Sequence, residues 1–591
     1  MAIVPMQKVA VVAHRSKKEE LLEFLHKEGV MEIAEMPDSH DIQSSLLPYH
    51  GAELDHVIGV LKAVASKQAL SAAAKSATEE EITQAGKNPD VRSLIDQVHA
   101  LEQRRSELDQ QLADLEHGRL PSRQPQTLDS NNAEEGAYFT SSKVKEDLSH
   151  FGGDGSLDPE EVRALLSGEI RKTQEQLRAA ADELRALAEH LPLLTRARQF
   201  AAWCDEAEAV RRAMKETRST VTLFGWIAKR LCGPLEHKLH ALSPATALIA
   251  MEPNPNEQQP VILQNPSWLK PFESVTSLYG LPKPTEVDPT PLLAPFFIVF
   301  FGLCLTDAAY GLLLAAVMGI FIWKKKLTLE KAPLWWLLLV GGLATFLISI
   351  PFGGWFGMSP DQAPSFMVER RADGLLWFKG QIWNLGVTEG IRFFQYLSLT
   401  LGVLHLSFGF FMAGYMKWRS GSKAEAFWVD WTTLVLFAVC IAYFLLPQDL
   451  RQYGLYAIFG ALALVVWGKG YGSPVYLRPV YGILGLLNLA MGMLSNTLSY
   501  LRLLALGLVT GALAMAVNLV AQQLGGLFPS FIGIPLTVII YIAGHTLNLA
   551  LNTLGAFIHS GRLQFVEFFG NFFEGGGKPF LPFRRSGSVV F

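Results

Sequence analysis

The chain has 591 residues, of which 50% are hydrophobic and 18% are charged, below the roughly 25% charged residues of soluble domains. Its net charge of −4 is small for this length and there is no long basic run, which argues against a nucleic-acid-binding protein. The four cysteines are scattered without a CxxC pair, so we expect neither a disulfide framework nor a zinc site. Charged residues concentrate in residues 1–290 and apolar residues in 291–591, which predicts a soluble half followed by a membrane half.

The beginning of the chain predicts a small α/β lobe. Residues 8–13 alternate like a strand, residues 16–26 are typical of a short amphipathic helix, and residues 30–34 are typical of a second strand. The first 25 residues contain no uninterrupted apolar core of signal-peptide length. We therefore expect the soluble half to stay in the cytoplasm.

Two leucine-rich stretches repeat with heptad spacing, the pattern of a coiled coil. The first runs from Leu94 to Leu115, with Arg105 in its one polar position, and the second runs from Leu166 to Leu191. A polar segment joins them, so the sequence favours an antiparallel coiled-coil arm within about residues 90–215. Two helices of an ordinary bundle are the alternative. Neither stretch contains a catalytic constellation.

The joining segment contains a sequence similar to a calcium-binding loop. In residues 150–161, Asp154, Gly155 and Glu161 fit three positions of an EF-hand loop. His150 and Gly152, however, stand where two carboxylate ligands are needed. We therefore expect a polar turn before a helix, and no metal ion.

The membrane half contains seven apolar stretches, and the first of them is interrupted by a polar pair at Thr306 and Asp307. A bilayer-spanning helix needs about 20 apolar residues, so the last two stretches are longer than one perpendicular crossing requires. Either they tilt strongly or part of each lies outside the lipid. The interrupted stretch is expected to enter and return as two short pieces, which gives about eight passes in all. The stretches are 292–323, 333–352, 392–416, 427–446, 452–468, 479–523 and 527–569.

The loop charges predict the orientation of these passes. Basic residues concentrate in 323–331, 417–423 and 469–478 and in the C-terminal tail, whereas the loop 353–391 has no strong basic excess. Basic loops stay on the cytoplasmic side, so we expect both the soluble half and the C-terminus there. The chain is thus expected to be an integral membrane protein.

The last two apolar stretches each contain one arginine, Arg502 and Arg562, and these are the only formal charges between Val480 and Val566. Steps of three and four residues back from each arginine meet only polar, aromatic or small residues, which places them on one helical face. The first stripe is Ser499, Ser495, Gly492, Asn488, Gly485 and Tyr481, and the second is His559, Gly555, Asn552, Asn548, His545 and Tyr541.

Small and polar stripes also serve to pack membrane helices together, and that alternative explains the glycines and serines well. It explains the histidines, asparagines and arginines poorly, because an arginine does not lose its proton to escape the lipid. The sequence places no acidic residue near either arginine on these helices, and Glu567 lies beyond Arg562. The pattern therefore indicates a partner carboxylate on another subunit, with polar stripes that conduct water and ions.

Several long motifs resemble subunit a/I of the V-type and archaeal-type rotary ATPases, and the resemblance covers most of the chain. SNTLSYLRLLALGL and residues 559–583 resemble the family's signature. Residues 265–312, which include TDAAYGL, resemble its junction and first membrane segment, and residues 219–231 also fit. The compact loops are more similar to the bacterial and archaeal subunit I than to the larger eukaryotic subunit.

The resemblance implies a fold, a mechanism and partners. The membrane half would cradle a ring of proteolipid subunits (c/K/L type) whose carboxylates bind the ion. Arg502 matches the family's essential arginine and Arg562 its second arginine. The soluble arm would contact peripheral-stalk subunits of the E/G type and a central-stalk adaptor of the d/C type. Two positions depart from relatives: Asn552 stands in place of a glutamate and Thr510 in place of a histidine, so an ion path here would rely on water, amides, His559 and His545.

Two other functions compete with the rotary ATPase subunit. A secondary transporter with a cytoplasmic arm should have its own intramembrane carboxylate, for which Asp307 is the candidate; a helix-bend or interface role for Asp307 is favoured. A coiled-coil membrane scaffold leaves both arginine stripes without a purpose. No GxxxxGK[ST] phosphate-binding loop is present, so the chain is not expected to hydrolyse ATP or to need a cofactor of its own. The choice between H⁺ and Na⁺ stays open.

Overall fold

A computed structural model describes residues 3–34, 47–75, 77–116, 159–254, 257–371 and 375–585. The chain is mainly helical and divides into two compact units. We call Gln7–Glu252 with Leu581–Phe591 the arm unit, and Met1–Met6 with Pro253–Phe580 the helical unit. The predicted division at residue 290, between a cytoplasmic arm and a membrane domain, stays a prediction. The EF-hand-like loop at 150–158 lies outside the described residues.

The arm unit begins with the strand, helix and strand that the sequence predicts. Strand β1 spans Met6–His14, helix α1 spans Lys18–Glu28 and strand β2 spans Met31–Ile33. Helix α1 ends at Gly29, whose left-handed backbone (φ 60°) is a conformation that glycine adopts without steric cost. Its buried face, Leu21, Leu22 and Leu25, packs on apolar residues of both strands.

Six helices follow strand β2, and heptad positions of the long ones are largely buried. Leu94 and Val98 near the start of α5 share one core with Leu184 near the end of α6, as expected of antiparallel helices, while Arg105 is exposed. The interpretation as a coiled coil stays a prediction. The second helix is shorter than predicted, because residues 188–190 form a 3₁₀ turn before Leu191 starts a new helix. The helices are α2 Gly51–Val64, α3 Lys67–Ala73, α4 Glu79–Gly86, α5 Asp90–Glu116, α6 Pro159–Leu187 and α7 Leu191–Ala213.

The chain then returns to complete the sheet of the arm unit. The strand order is β2-β4-β1-β5, with the short β3 paired to β4, and β1–β5 and β2–β4 are antiparallel. A β-α-β segment before the long helical insertion and a second one after it thus form one split β-α-β layer. The new elements are β3 Lys215–Glu216, β4 Thr220–Ala228, α8 Cys232–Leu242 and β5 Ala247–Met251.

The helical unit opens with a short strand, β6 Pro260–Val261, and closes with its parallel partner at 578–579. The predicted interruption of the first apolar stretch lies at Thr306 and Asp307, between α10 and α11. The helices before the long loop are α9 Lys270–Tyr279, α10 Thr290–Leu305, α11 Ala308–Lys325 and α12 Pro333–Ser349. The loop contains the antiparallel pair β7 Val368–Arg370 and β8 Leu376–Phe378.

The remaining helices of this unit contain the arginines. They are α13 Thr388–Arg419, α14 Thr432–Leu445, α15 Arg451–Lys469, α16 Arg478–Ser499, α17 Leu501–Gly526 and α18 Ser530–Arg562. Two π-helical turns, Ala426–Trp431 and Leu563–Phe568, precede α14 and follow α18, and β9 Lys578–Pro579 ends the unit.

Seven helical segments in the described residues are long and apolar enough to cross a membrane, and Thr290–Leu305 is a shorter apolar helix. All six predicted stretches from residue 333 onward overlap one of them. The number of passes, their orientation and the tilt of the last two stay predictions. The seven segments are Ala308–Lys325, Pro333–Phe352, Thr388–Arg419, Lys423–Tyr443, Gln448–Lys469, Arg478–Gly526 and Ser530–Asn571.

The C-terminal residues 581–585 return to the arm unit and complete its core. The backbone N–H of Phe583 donates to the carbonyl of Met31 at 2.8 Å, and that of Arg585 donates to the carbonyl of His26 at 3.1 Å. The Phe583 ring is buried and stacks on the His26 imidazole, with ring centroids 4.2 Å apart. The last described residues are therefore structural parts of the lobe that the first 34 residues build.

Burial shifts the pKa values of a histidine and a glutamate in this core in opposite directions. His26 Nε2 lies 3.9 Å from Glu206 Oε2. Burial, reinforced by the positive charge of Arg585, lowers the pKa of His26 to about 4, and burial raises the pKa of Glu206 to about 7. Both groups are therefore neutral in the folded lobe between these two values.

We predict that Glu206→Gln stabilises the arm unit at pH 8 but not at pH 5. Because folding raises the pKa of Glu206, its contribution to the stability of the fold is fully present at low pH, where the carboxyl group is protonated. That contribution is lost as pH rises through about 7. Glutamine does not ionise, so the variant does not lose this contribution at high pH. His26 contributes equally to the variant and to wild type. Hydrogen exchange of β1 and β4 amides, compared at each pH, measures the difference. Glu189→Gln, at an exposed carboxyl group, is the control. Equal protection of Glu206→Gln and wild type at pH 8 would contradict the prediction.

Candidate functional site

The first arginine follows a break between two helices. The backbone N–H of Tyr500 donates to the Thr497 carbonyl at 3.1 Å, and that of Leu503 donates to the Tyr500 carbonyl at 3.0 Å. These three-residue spacings tighten the chain relative to an α-helix. The predicted single stretch 479–523 is therefore wrong as one regular helix. Its polar residues explain the break: Ser499 Oγ donates back to the Ser495 carbonyl at 3.2 Å, a bond that bends helices.

Arg502 is half-buried in the first turn of α17. Its Nη1 atom is shielded from solvent and has no hydrogen-bond partner among the described residues. A buried charged donor without a partner is costly, by more than the roughly 1–3 kcal/mol of a neutral group. Arg562, at the end of α18, is exposed. One donor of the Arg502 guanidinium is thus buried without a hydrogen bond from the described residues.

Glu567 corrects the expectation that no acidic residue of the chain lies near the arginines. It is only 1% exposed, on the π-helical turn after α18, and the charges of Arg502 and Arg562 both act on its carboxylate. In an α-helix, a residue five positions after Arg562 would lie about 140° around the axis from it. The π turn closes over five residues instead, which brings Glu567 back towards the face of Arg562.

His559 joins this group of charges. It is half-buried one turn before Arg562, its Nδ1 atom has no hydrogen-bond partner, and both arginines act on its imidazole. Two arginines, one histidine and one glutamate therefore interact at the ends of α16 and α18. The sequence analysis placed Arg502 on one stripe and Arg562 with His559 on the other, and the charges of both arginines act on His559 and on Glu567.

The polar stripe of α18 is turned into the protein. Thr510 Oγ1 on α17 donates to Asn552 Oδ1 at 3.0 Å, and Asn552 Nδ2 donates to Asn548 Oδ1 at 2.5 Å. Asn548 Nδ2 in turn donates to the Tyr310 hydroxyl on α11 at 2.8 Å. The side chains of Asn552 and Thr510 are thus direct hydrogen-bond partners.

The same network continues along α18. The Tyr310 hydroxyl is 2.6 Å from His545 Nδ1, and His545 Nε2 is 3.0 Å from Asn518 Oδ1. Asn518 Nδ2 ends the network by donating to the Phe356 carbonyl at 2.8 Å. Three helices therefore share one continuous chain of side-chain hydrogen bonds, and we call it the amide network: Tyr310, Thr510, Asn518, His545, Asn548 and Asn552.

The polar stripe of α16 faces outward instead. Asn488 and Ser495 are exposed and Ser499 is half-buried, whereas Asn548 is buried. Within the described residues of α16, Gly482 is the only fully buried one. The two stripes thus differ: the chain itself covers the stripe of α18, and leaves that of α16 uncovered.

Asp307 has a structural role in this fold. It is fully buried and caps α11, where its Oδ1 atom accepts the backbone N–H of Tyr310 at 3.0 Å. The residue before it, Thr306, has a left-handed backbone (φ 37°) that breaks the helix. This geometry agrees with the favoured helix-bend interpretation. The cap also fixes the start of the helix that presents Tyr310 to the amide network.

Sequence reasoning missed Tyr310, Asn518, His405, Tyr500 and Gln564. Tyr310 belongs to the quoted TDAAYGL motif, and that motif was the available signal for it. Asn518 is flanked by apolar residues in α17, a weaker signal of the same kind. His405 is the only histidine of its apolar stretch, but nothing in the local sequence indicates its partners.

Comparisons with known proteins find relatives over most of the chain. Residues 486–585, which contain both arginines, match the V-type ATPase 116kDa subunit family. The A-type ATP synthase subunit I of Methanocaldococcus jannaschii is 35% identical, over 73% of this chain and 65% of the relative. That of Pyrococcus abyssi is 33% identical, over 63% and 55%, and the V-type ATP synthase subunit I of Chlamydia pneumoniae is 27% identical, over 56% of both.

These matches confirm the predicted resemblance: the chain is homologous to subunit I of the A-type and V-type ATP synthases. It spans 55–65% of the length of these three relatives.

We predict that Thr510→Val destabilises the helical unit by about 1–3 kcal/mol, because Asn552 Oδ1 then loses its donor in a buried site. Thr433→Val is the matched control, since Thr433 is equally buried but its hydroxyl has no partner. Its replacement should be neutral or stabilising. Thermal unfolding of the two variants in detergent measures the difference. Equal midpoints for the two variants would show that the amide network adds nothing to stability.

Proposed function

We propose that this chain is the membrane stator subunit of an A/V-type rotary ATPase, which couples translocation of H⁺ or Na⁺ to ATP hydrolysis or synthesis. The observation that supports this most is Arg502, which is half-buried at the end of an uncovered polar stripe and whose Nη1 atom has no hydrogen-bond partner among the described residues. A carboxylate on a neighbouring proteolipid ring is a partner of the required charge. The homology to subunit I points to the same complex.

The positive charge of Arg502 would favour the ionised form of each ring carboxylate that comes opposite it. At about 4 Å and an effective dielectric constant of 20, two unit charges interact by about 4 kcal/mol, enough to release a bound proton or metal cation. The same charge repels a free cation and so blocks direct leakage past it. Glu567, buried in the same group of charges, would balance the arginines while no ring carboxylate is opposite.

Two paths on either side of Arg502 would connect the ring to the two membrane surfaces. The stripe of α16, with Asn488, Ser495 and Ser499, would form one path against the ring. The amide network with His545, Asn548, Asn552 and Thr510, continued by His559, would form the other. Amides, hydroxyls and imidazoles bind both water and cations, so these groups are suited to either ion.

The partners follow from this assignment. The helical unit would lie in the plasma membrane beside a proteolipid ring, and the arm unit would contact peripheral-stalk and central-stalk adaptor subunits in the cytoplasm. Catalysis of ATP hydrolysis would belong to other subunits. A secondary transporter is less well supported, because Asp307, its candidate carboxylate, is used as a helix cap.

We predict that Arg502→Ala lowers ATP-driven ion pumping of the reconstituted complex by at least about 100-fold, the factor that a few kcal/mol of lost attraction implies. Arg392→Ala, at an exposed arginine of α13, is the matched control and should pump like wild type. Assembly is checked in parallel by purification of the intact complex. Unchanged pumping by an assembled Arg502→Ala complex would refute the proposed function.

A further inference from the structure

Three fully buried polar residues meet in the helical unit: His405, Tyr500 and Gln564. The Nδ1 atom of His405 is 2.8 Å from the Tyr500 hydroxyl, and its Nε2 atom is 3.1 Å from Gln564 Oε1. Both nitrogens of one imidazole are therefore engaged. The proposed function does not use this triad.

The two partners of His405 lie next to the two arginines in the chain. Tyr500 is the residue between α16 and α17, two positions before Arg502. Gln564 is in the π-helical turn, two positions after Arg562. His405 lies in the middle of α13, which contains neither arginine. One side chain of a third helix is thus bonded to both arginine-bearing segments.

The chemistry of the three side chains fixes the direction of these bonds. The amide oxygen of Gln564 only accepts, so His405 Nε2 must be the protonated nitrogen. The Nδ1 atom of a neutral imidazole then has a free lone pair, and the Tyr500 hydroxyl donates to it. The result is one directed sequence of hydrogen bonds from Tyr500 through His405 to Gln564.

Aromatic rings enclose the imidazole and exclude water from these bonds. Phe568 stacks on His405 with centroids 4.3 Å apart, Phe296 lies at 4.3 Å, and Phe300 meets it edge-on at 5.1 Å. Hydrogen bonds in such an apolar enclosure are stronger than in water, and breaking one leaves an unpaired polar group. The geometry of the triad is therefore strongly determined.

We propose that His405 is a positioning residue that holds Arg502 and Arg562 at a fixed separation by bonding to the break before the first and to the π turn after the second. The inference rests on the proposed function, because positioning matters only if the arginines face a moving ring. Without His405, the break at Tyr500 and the π turn are each free to relax. The arginines then shift relative to each ring carboxylate, and ions leak or slip.

The test compares ions pumped per ATP hydrolysed in reconstituted complexes with matched substitutions. His405→Leu removes both hydrogen bonds, while His405→Gln retains one acceptor and one donor in a side chain of comparable length. Ser398→Ala is the control on the same helix, since Ser398 is equally buried but bonds only to its own helix, at the Phe394 carbonyl. This ratio is independent of the amount of complex that assembles.

We expect His405→Leu to lower the ratio about tenfold, the effect of two net hydrogen bonds, and His405→Gln to restore it to within about threefold of wild type. Ser398→Ala should leave it unchanged. Tyr500→Phe, which removes only one hydroxyl, should lower the ratio less, and adding it to His405→Leu should have no further effect. If the His405→Leu complex does not assemble, the number of ions pumped per ATP hydrolysed by the Tyr500→Phe complex tests the inference alone.

A wild-type ratio in His405→Leu, or in Tyr500→Phe where only that complex assembles, would overturn the inference and leave His405 as a core residue. An equal loss in His405→Leu and His405→Gln would also overturn it, because shape and not hydrogen bonding would then matter. Arg502→Ala in the same series separates the two proposals. If Arg502→Ala pumps normally, the proposed function fails; if only the His405 and Tyr500 variants pump normally, the positioning role fails.

Discussion

The structure depends on one electrostatic constraint: the guanidinium of Arg502 cannot lose its proton, yet it is half-buried in an apolar segment and its Nη1 atom has no hydrogen-bond partner among the described residues. Around it the regular helix is interrupted twice, at Tyr500 and in the π turn after Arg562. Both interruptions place charged or polar side chains where a straight α-helix would not. The π turn brings Glu567 towards both arginines. Irregular backbone at these two points is thus part of how the site is built.

The two polar stripes show how one sequence pattern can serve two different surfaces. The stripe of α18 is satisfied within the chain, by amides and hydroxyls of α11 and α17, and therefore adds rigidity as well as polarity. The stripe of α16 is uncovered and has few partners of its own. Helix packing alone explains the polar residues of the α18 stripe, but it does not explain those of the α16 stripe. An exposed polar stripe that ends at an unpaired arginine is suited to contact with an acidic partner.

Much of this architecture could be predicted from the sequence. Apolar runs, the polar pair at Thr306 and Asp307 and the alternation of residues 8–13 are local signals, and each corresponds to an observed element. The π turn could not be predicted, because periodicity arguments assume 3.6 residues per turn, and Glu567 was therefore placed too far away. The partners of His405 are 95 and 159 residues distant, and Phe583 enters a core built by the first 34 residues. Local patterns contain no information on such contacts.

The most direct test of the central claim asks what covers the stripe of α16. Ser495→Cys, in a chain whose four native cysteines are replaced by serine, would be oxidised in native membranes beside single cysteines placed along the proteolipid helix. Leu347→Cys, at an exposed position of α12 outside both stripes, is the reference. The account predicts a disulfide between Ser495→Cys and the proteolipid near its ion-binding carboxylate, and none from Leu347→Cys. Absence of that cross-link in complexes that assemble and pump would contradict the claim that this stripe and Arg502 face the ring.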